Sequence, residues 1–220
     1  MMTDSKKPKQ LKNPIHYQNN FVPSPEQSNV YKGTVDLDVS IITGDAASGK
    51  TMCACWIAHE YLARKEVKRI IITRPIIDNR LGYLPGEVKD KLAPWIYPIK
   101  DNFYQLIGKE KTEKLFLDGV IEILPIDFTK GVTYRDAVVI IDEFQDLNYE
   151  DFRMCLTRLG KDSKLLFVGS KNQIGIKKDK SCINLIEEKL YNSDNVNFHL
   201  LTSNHRNHVI FDIIEELEGK

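Results

Sequence analysis

The feature that most constrains this chain is a glycine-bounded loop, Gly44-Asp45-Ala46-Ala47-Ser48-Gly49-Lys50-Thr51, with the spacing G-x-x-x-x-G-K-[ST]. We call it the phosphate loop. It follows an apolar run that ends at Thr43 and precedes a helix-like stretch from Met52. In this setting the backbone N–H groups of the loop can surround the β- and γ-phosphates of a nucleotide, and Lys50 adds a positive charge. The Thr51 hydroxyl can ligate Mg²⁺, so the sequence predicts a strand-loop-helix unit that binds a nucleoside triphosphate.

A second apolar run, Val138-Val139-Ile140-Ile141, ends in the two carboxylates Asp142 and Glu143. Such a run of β-branched residues indicates a buried parallel strand. Ligands of open α/β sheets bind beyond the carboxyl ends of the strands, so both carboxylates should emerge beside the phosphates. We expect Asp142 to hold Mg²⁺ together with Thr51, and Glu143 to orient and polarise the water that attacks the γ-phosphate.

Strand-like and helix-like segments alternate along the chain, which predicts an α/β fold with a parallel sheet flanked by helices. The expected strands are Val39–Thr43, Ile70–Thr73, Val120–Leu124, Ala137–Ile141, Leu165–Val168 and Asn197–Leu201. The expected helices are Thr51–Arg64, a segment capped by Asn148 that runs to Leu159, Cys182–Leu190 and Asn207–Glu218.

The composition fits one domain. With 220 residues, of which 42% are hydrophobic, the chain can form one sizeable core. Residues 1–20 are polar and lysine-rich, so we expect a disordered or loosely held arm, followed by a single domain over residues 21–220. The longest apolar stretch, Met52 to Ala58, is too short for a membrane span. The four cysteines form no C-x₂-C pair and no secretory leader precedes them, which favours free thiols in a reducing cytoplasm.

The segment Leu81–Pro98 interrupts the alternation, because Pro85, Gly86, Pro94 and Pro98 surround the aromatic residues Tyr83, Trp95 and Tyr97. Aromatic side chains in a proline-fixed loop can stack on unpaired bases. They can equally pack down on the sheet, and packing is the commoner use of aromatic side chains. The formal net charge of zero gives no global field that would attract nucleic acid.

Several short motifs occur in a fixed order along the chain. Besides the phosphate loop they are Pro25-Glu26-Gln27, Thr73-Arg74-Pro75, Leu81-Gly82-Tyr83-Leu84-Pro85-Gly86, Asp142-Glu143-Phe144-Gln145, Leu156-Thr157-Arg158-Leu159-Gly160 and the segment from Gly169 to Gln173. With these motifs the chain resembles the PhoH-like proteins, phosphate-starvation-inducible ATPases related to the motor core of superfamily-one helicases. The resemblance covers about residues 21–215.

The resemblance implies a P-loop NTPase with a single RecA-like domain that hydrolyses ATP. It implies that Gln27 reads the adenine edge, that Gln145 and Gln173 sense the γ-phosphate, and that Arg206 corresponds to a late arginine of the family. A glutamine presents the donor and the acceptor that the N6 and N7 edge of adenine requires. Because 220 residues hold only one motor domain, another chain must supply an arginine to the site. We therefore expect a homo-oligomer, and the resemblance suggests a hexamer. The alternative is a monomer in which Arg206 caps or pairs on its own surface.

This chain departs from the family pattern at two motifs. Ser170 stands where relatives usually carry an aspartate, and Lys130-Gly131-Val132 stands where an Arg-Gly-Arg element is common. The second change removes a potential phosphate contact, which should lower affinity for nucleic acid. The roles of two arginines remain open. Arg74 can point into the cleft or form a surface ion pair, and Arg158 can be catalytic or an ordinary solvated side chain.

Taken together, the sequence predicts an ATPase that uses Mg²⁺ and acts on RNA or single-stranded nucleic acid, with no membrane segment. Two other classes fit the same motifs. One is a nucleoside kinase, since Asp-Glu-Phe-Gln after an apolar strand is similar to thymidine kinases, although those enzymes usually carry a cysteine-rich zinc site that is missing here. The other is a nucleotide-switched binding module with negligible turnover.

Overall fold

The structure is a computed structural model, and it describes residues 15–75, 88–129, 131–203 and 216. For residues 88–95 and 128 it describes the backbone alone. All statements below concern this part of the chain.

Six parallel strands form one sheet in the order β3-β2-β4-β5-β1-β6. The strands are β1 (Val39–Gly44), β2 (Arg69–Arg74), β3 (Ile121–Pro125), β4 (Ala137–Asp142), β5 (Lys164–Gly169) and β6 (Asn197–Leu201). The helices are α1 (Pro25–Asp36), α2 (Lys50–Ala63), α3 (Val88–Ile107), α4 (Lys109–Leu117), α5 (Tyr149–Thr157) and α6 (Ile183–Leu190). Because the strands are parallel, their carboxyl ends lie along one edge, where β1, β4 and β5 bring together the segments that carry the sequence motifs.

Successive strand residues point to opposite faces, so the sheet has a separate apolar core on each side. On one side, α1 to α4 cover strand residues such as Ile42, Ile140 and Leu166. On the other side, α5 and α6 cover Val139 and Phe167 among others. Burial on both faces explains why these strands read as continuous Ile, Leu and Val runs and not as alternating patterns.

The six strands predicted from the sequence are confirmed, and each boundary lies within one residue of the expectation. The helices α2 and α6 are confirmed as well. Helix α5 begins as predicted, since the Asn148 side chain accepts the Asp151 N–H at 2.9 Å, but it ends at Thr157, two residues early. The predicted helix Asn207–Glu218 lies almost entirely outside the described residues.

The prediction of a proline-fixed loop over residues 81–98 is wrong from residue 88 onward, where the chain is helical. Pro98 lies within α3, and a proline in a helix interior costs about 3 kcal/mol or more. The helix forms because Ile99, Phe103 and Leu106, at helical spacing, are buried against α2 and the sheet. Tyr97 is 66% exposed and does not pack into the core, contrary to the favoured interpretation. Tyr83 and the Trp95 side chain lie outside the described part.

Helix α1 was missed although its start is marked in the sequence. Ser24 caps the helix, Pro25 occupies the first turn, and the Ser24 and Gln27 side chains each accept the other's backbone N–H. This reciprocal pair is a capping box. Ordered contacts also begin before Phe21, because Tyr17 donates to the Glu60 carboxylate at 2.6 Å. The expected arm therefore makes specific contacts at residues 15–20, and residues 1–14 lie outside the described part.

All four cysteines are buried free thiols, in agreement with the sequence prediction. Within the described residues, no helix combines the length and apolar character that a bilayer span requires.

Candidate active site

The phosphate loop connects β1 to α2 and needs glycine at both ends. Gly44 has φ 150°, and a Cβ there would lie 2.4 Å from the Leu201 carbonyl oxygen. Gly49 has φ 77° and is the residue before α2. Side chains at either position would strain the turn or collide with β6. The loop therefore takes the sharp turn that the sequence motif predicts and delivers Lys50 and Thr51 to the first turn of α2.

Lys50 folds back over its own loop. Its ammonium donates to the Asp45 carbonyl oxygen at 2.6 Å and to the Ser48 hydroxyl at 3.4 Å. Burial lowers the pKa of this ammonium, while the charges of Glu143 and Asp142 act in the opposite direction. The lysine is thus held at the loop by neutral acceptors, which an anionic phosphate oxygen can replace.

Thr51 and Asp142 meet across the site. The Thr51 hydroxyl donates to Asp142 Oδ1 at 3.2 Å, and Asp142 is the last residue of β4. Burial, and secondarily the charge of Glu143, raises the pKa of Asp142 to about 6, although Arg74 acts against this shift. Both side chains offer hard oxygen donors, and Mg²⁺ is usually bound by one or two carboxylates together with substrate phosphates and waters. The donor set therefore fits Mg²⁺ bound with a nucleotide.

Glu143 turns sharply out of β4, with φ 56° and ψ 40° in the left-handed region. This conformation costs a non-glycine residue about 1 kcal/mol or more. Two contacts hold the carboxylate: Arg74 Nη2 lies 3.1 Å from Oε1, and Gln145 Nε2 lies 2.6 Å from Oε2. Arg74 thus reaches the site, which resolves the question left open by the sequence. The turn and both partners fix the direction of the Glu143 carboxylate.

Gln145 links Glu143 to the segment that follows β5. Its Nε2 also donates to the Gln173 carbonyl oxygen at 3.2 Å, and its Oε1 accepts the Ser170 N–H at 3.0 Å. Gly169 leaves room for this amide, because a Cβ there would lie 2.5 Å from Gln145 Oε1. Gln145 is almost fully buried, so any response to the γ-phosphate passes through the groups that it bridges.

A cavity of about 330 Å³ lies between these groups. Its lining includes Ala46, Ala47, Gly49, Lys50, Thr51, Met52, Asn102, Asp142, Glu143, Val168, Gly169 and Gln173. Of the predicted catalytic and metal-binding residues, the structure places Lys50, Thr51, Asp142, Glu143 and Gln173 on its wall. Arg206 lies outside the described residues.

Gln27 is buried beneath the phosphate loop. Its Nε2 approaches the Gly49 carbonyl oxygen at 3.5 Å, while its Oε1 accepts the Ser24 N–H at 3.0 Å. The amide keeps one N–H and one lone pair without a partner among the described residues, but the residue is 4% exposed and does not line the cavity. Arg158 lies away from the cavity, at the end of α5, where its carbonyl oxygen accepts the Tyr134 N–H. Its guanidinium is only partly exposed to solvent, because Nε is buried and has no hydrogen-bond partner in the described part of the chain.

The sequence analysis missed three contributors to the site region. Asn102 lines the cavity from α3, a helix that was not predicted. Asn172 donates to the Asp45 side chain at 2.6 Å. Glu26 accepts hydrogen bonds from the backbone N–H and hydroxyl groups of Thr202 and Ser203, which fastens the end of β6 to α1. Glu26 and Asn172 lay within quoted motifs, but neither their partners nor the position of Asn102 has a local sequence signal.

The parallel sheet, the phosphate loop after β1 and the acidic pair after β4 define a P-loop NTPase. Residues 22–218 match the protein family described as PhoH-like protein. This chain belongs to the PhoH family.

Curated relatives and solved structures agree with this assignment. A PhoH-like protein of Bacillus subtilis (strain 168) is 38% identical over 156 residues, which are 70% of this chain and 49% of that protein. Protein PhoH of Escherichia coli (strain K12) is 37% identical over 135 residues, which are 60% of this chain and 38% of that protein. The chain thus spans about half or less of the length of these two relatives.

The large terminase of a thermophilic bacteriophage has a similar fold, with a TM-score of 0.53 and 14% identity. The match covers 88% of this chain and 50% of the terminase. The complex of the same terminase with ADP gives the same values. At this identity the likeness concerns the fold alone.

Proposed function

We propose that this chain is a Mg²⁺-dependent ATPase that acts on RNA or single-stranded nucleic acid. The observation that carries the proposal is the position of Glu143. Its carboxylate is held by Arg74 and Gln145 at a cavity whose lining also includes Lys50 and Thr51. A phosphate-binding loop and a fixed carboxylate at one cavity form the arrangement that hydrolysis of a phosphoanhydride requires.

The phosphate-binding wall consists of the phosphate loop and the first turn of α2. Backbone N–H groups at this helix start favour anions, and the Lys50 ammonium exchanges its neutral acceptors for phosphate oxygens. Thr51 and Asp142 would hold Mg²⁺, which supplies charge neutralisation on the phosphate oxygens. The loop backbone and the Thr51–Asp142 pair are in place before the nucleotide binds, which lowers the cost of organising the transition state.

Glu143 acts as the general base in this proposal. Its carboxylate orients a water toward the terminal phosphate and accepts a proton from it. Arg74 and Gln145 keep the carboxylate in one direction, and the Gln145 amide connects it to the Gln173 segment. The positions of Glu143 and Gln173 are thus coupled, which supports a role for Gln173 beside the terminal phosphate.

Support for ATP as the nucleotide comes from Gln27 and from the fold. Gln27 lies directly under Gly49 and retains one donor and one acceptor, the pair that an adenine edge requires. The bacteriophage terminase, which shares the fold, has been solved with ADP. We propose that this chain also binds an adenine nucleotide.

The proposal has two further parts. Action on nucleic acid is supported by the family resemblance to helicase motor cores and by Tyr97, whose exposed ring on α3 is available for stacking on a base. Assembly into a ring of six chains would let Arg206 of one chain complete the site of its neighbour.

The test is ATP turnover measured by phosphate release, with and without single-stranded RNA or DNA. Glu143→Gln should retain ATP binding and lose turnover by at least about a hundredfold, since general-base contributions are typically about 10²–10⁴-fold. Lys50→Ala should weaken binding, because Lys50 contacts phosphates before the reaction. The matched controls are Glu150→Gln and Lys189→Ala, whose side chains are 78% and 64% exposed at the surface.

The alternatives give different results. Stoichiometric ATP binding without phosphate release would identify a nucleotide-switched module. Transfer of the phosphoryl group to thymidine would identify a nucleoside kinase. Near wild-type hydrolysis by Glu143→Gln would refute the assignment of the base.

A further inference from the structure

The cavity is bordered by two segments that leave neighbouring strands. The phosphate loop follows β1, the segment Ser170–Gln173 follows β5, and the strands are paired with Thr43 opposite Gly169. Across the gap, Asn172 Nδ2 donates to Asp45 Oδ1 at 2.6 Å. This is a short hydrogen bond to a carboxylate, a class roughly twice as strong as neutral pairs. It joins two residues that are 127 positions apart in sequence.

The bond completes a continuous set of contacts. Gln145 holds the Ser170–Gln173 segment from the side of β4, through the Ser170 N–H and the Gln173 carbonyl oxygen. Asn172 holds the same segment from the side of the phosphate loop. The segment that carries Gln173 is therefore fastened on both flanks of the cavity.

The other side chains of this segment do not fasten it to the cavity. The Ser170 hydroxyl is buried and has no hydrogen-bond partner among the described residues. Lys171 is turned away, toward Glu187 on α6, with its ammonium 3.2 Å from the carboxylate. Among the described residues, the Asn172 side chain is therefore the one that links this segment to the phosphate loop.

We propose that Asp45 and Asn172 form a latch that positions Gln173 against the terminal phosphate of the bound nucleotide. Both are positioning residues, because they act through Gln173 and not on the reacting atoms. The proposal rests on the ATPase function proposed above. The latch should favour the triphosphate over the diphosphate, since only the triphosphate has a group within reach of Gln173.

The test exchanges the two side chains of the latch, and the double variant with exchanged side chains is called the reversed pair. Asn172→Asp places two carboxylates opposite each other and breaks the latch. Asp45→Asn keeps an oxygen that can accept from Asn172, so it should preserve the contact. The double variant Asp45→Asn with Asn172→Asp restores an amide and a carboxylate in exchanged positions. Lys171→Ala, one residue away and directed toward α6, is the control.

Each protein is assayed for kcat and KM with ATP, for inhibition by ADP and for thermal stability. We expect Asn172→Asp to lower kcat/KM for ATP about tenfold while ADP inhibition changes less than about twofold. The reversed pair should recover to within about threefold of the wild type, and Lys171→Ala should match the wild type.

Three results would overturn the latch: unchanged ATP kinetics in Asn172→Asp, equal losses for ATP and ADP, or no recovery in the folded reversed pair. A wild-type protein that releases no phosphate would refute the proposed function separately. In that case the latch is tested by measuring the affinities of the same variants for ATP and for ADP. The ratio of these two affinities can be measured without turnover.

Discussion

The free energy of unfolding of the metal-free protein should rise when Asp142 is replaced by asparagine. Asp142 is 5% exposed, and burial raises its pKa from 3.8 to about 6. A carboxyl group whose pKa is raised on folding is more costly to ionise in the folded state. Above pH 6 it therefore destabilises the fold, and below about pH 3.8 this penalty is absent. At about 1.4 kcal/mol for each pH unit, the shift corresponds to about 3 kcal/mol at pH 8.

Asparagine has nearly the same shape and carries no charge, and its oxygen can still accept from Thr51. Asp142→Asn should therefore gain up to about 3 kcal/mol at pH 8, and the gain should fall toward zero near pH 4. The same change removes the proposed Mg²⁺ ligand and should abolish ATP turnover. Urea unfolding in EDTA at pH 4, 6 and 8 measures the gain.

The exposed Asp194 provides the matched control, since Asp194→Asn should change stability by no more than about 0.5 kcal/mol at any of these pH values. An Asp142→Asn protein with no gain at pH 8, or with equal gains at pH 4 and pH 8, would show that buried charge is not what strains this position.

Three further changes test other parts of the site. Gln27→Ala should weaken ATP binding by about 0.5–1.5 kcal/mol, which raises KM for ATP and leaves KM for GTP little changed. Steady-state kinetics with both nucleotides measure the two KM values, and an equal increase for ATP and GTP would contradict the prediction. Glu26→Gln should lower the unfolding free energy by about 1 kcal/mol at pH 7. Hydrogen bonds, above all from the Thr202 hydroxyl, lower the pKa of Glu26. Its contribution to the free energy of unfolding is therefore present above the usual carboxyl pKa and is lost as the pH falls through the lowered value. Urea unfolding at pH 3 should show a smaller difference between the wild type and Glu26→Gln than unfolding at pH 7. Mixing Arg206→Ala chains with Glu143→Gln chains should restore part of the turnover that each lacks alone, and no recovery after verified subunit exchange would exclude an arginine supplied by a neighbouring chain.

The strands and the grouping of four residues at one cavity could be predicted because their signals are local. A buried parallel strand reads directly as a run of Ile, Leu and Val, and Lys50, Thr51, Asp142 and Glu143 occur in contiguous motifs that follow such runs. Helix α3 could not be predicted in this way, since Pro98 argues locally against a helix that tertiary packing stabilises.

Side-chain contacts between residues far apart in the chain could not be predicted from the sequence for a different reason. The bond between Asp45 and Asn172 depends on the neighbouring positions of β1 and β5, which only the strand order reveals. The direction of Arg74 depends in the same way on the pairing of β2 with β4. Side-chain partners across a sheet are set by topology, and neither periodicity nor spacing along the chain encodes it.

The four buried cysteines have a practical consequence for spectroscopy. Burial raises the pKa of every one of these thiols, and those of Cys155 and Cys182 reach about 12. The thiolate is the nucleophile that attacks a maleimide or a similar reagent, so the native cysteines should react very slowly in the folded protein. A cysteine introduced at the exposed position of Tyr97 would therefore accept a fluorophore selectively, without removal of the native thiols. The dye would report on α3, beside the cavity residue Asn102, while nucleotide and nucleic acid bind and leave.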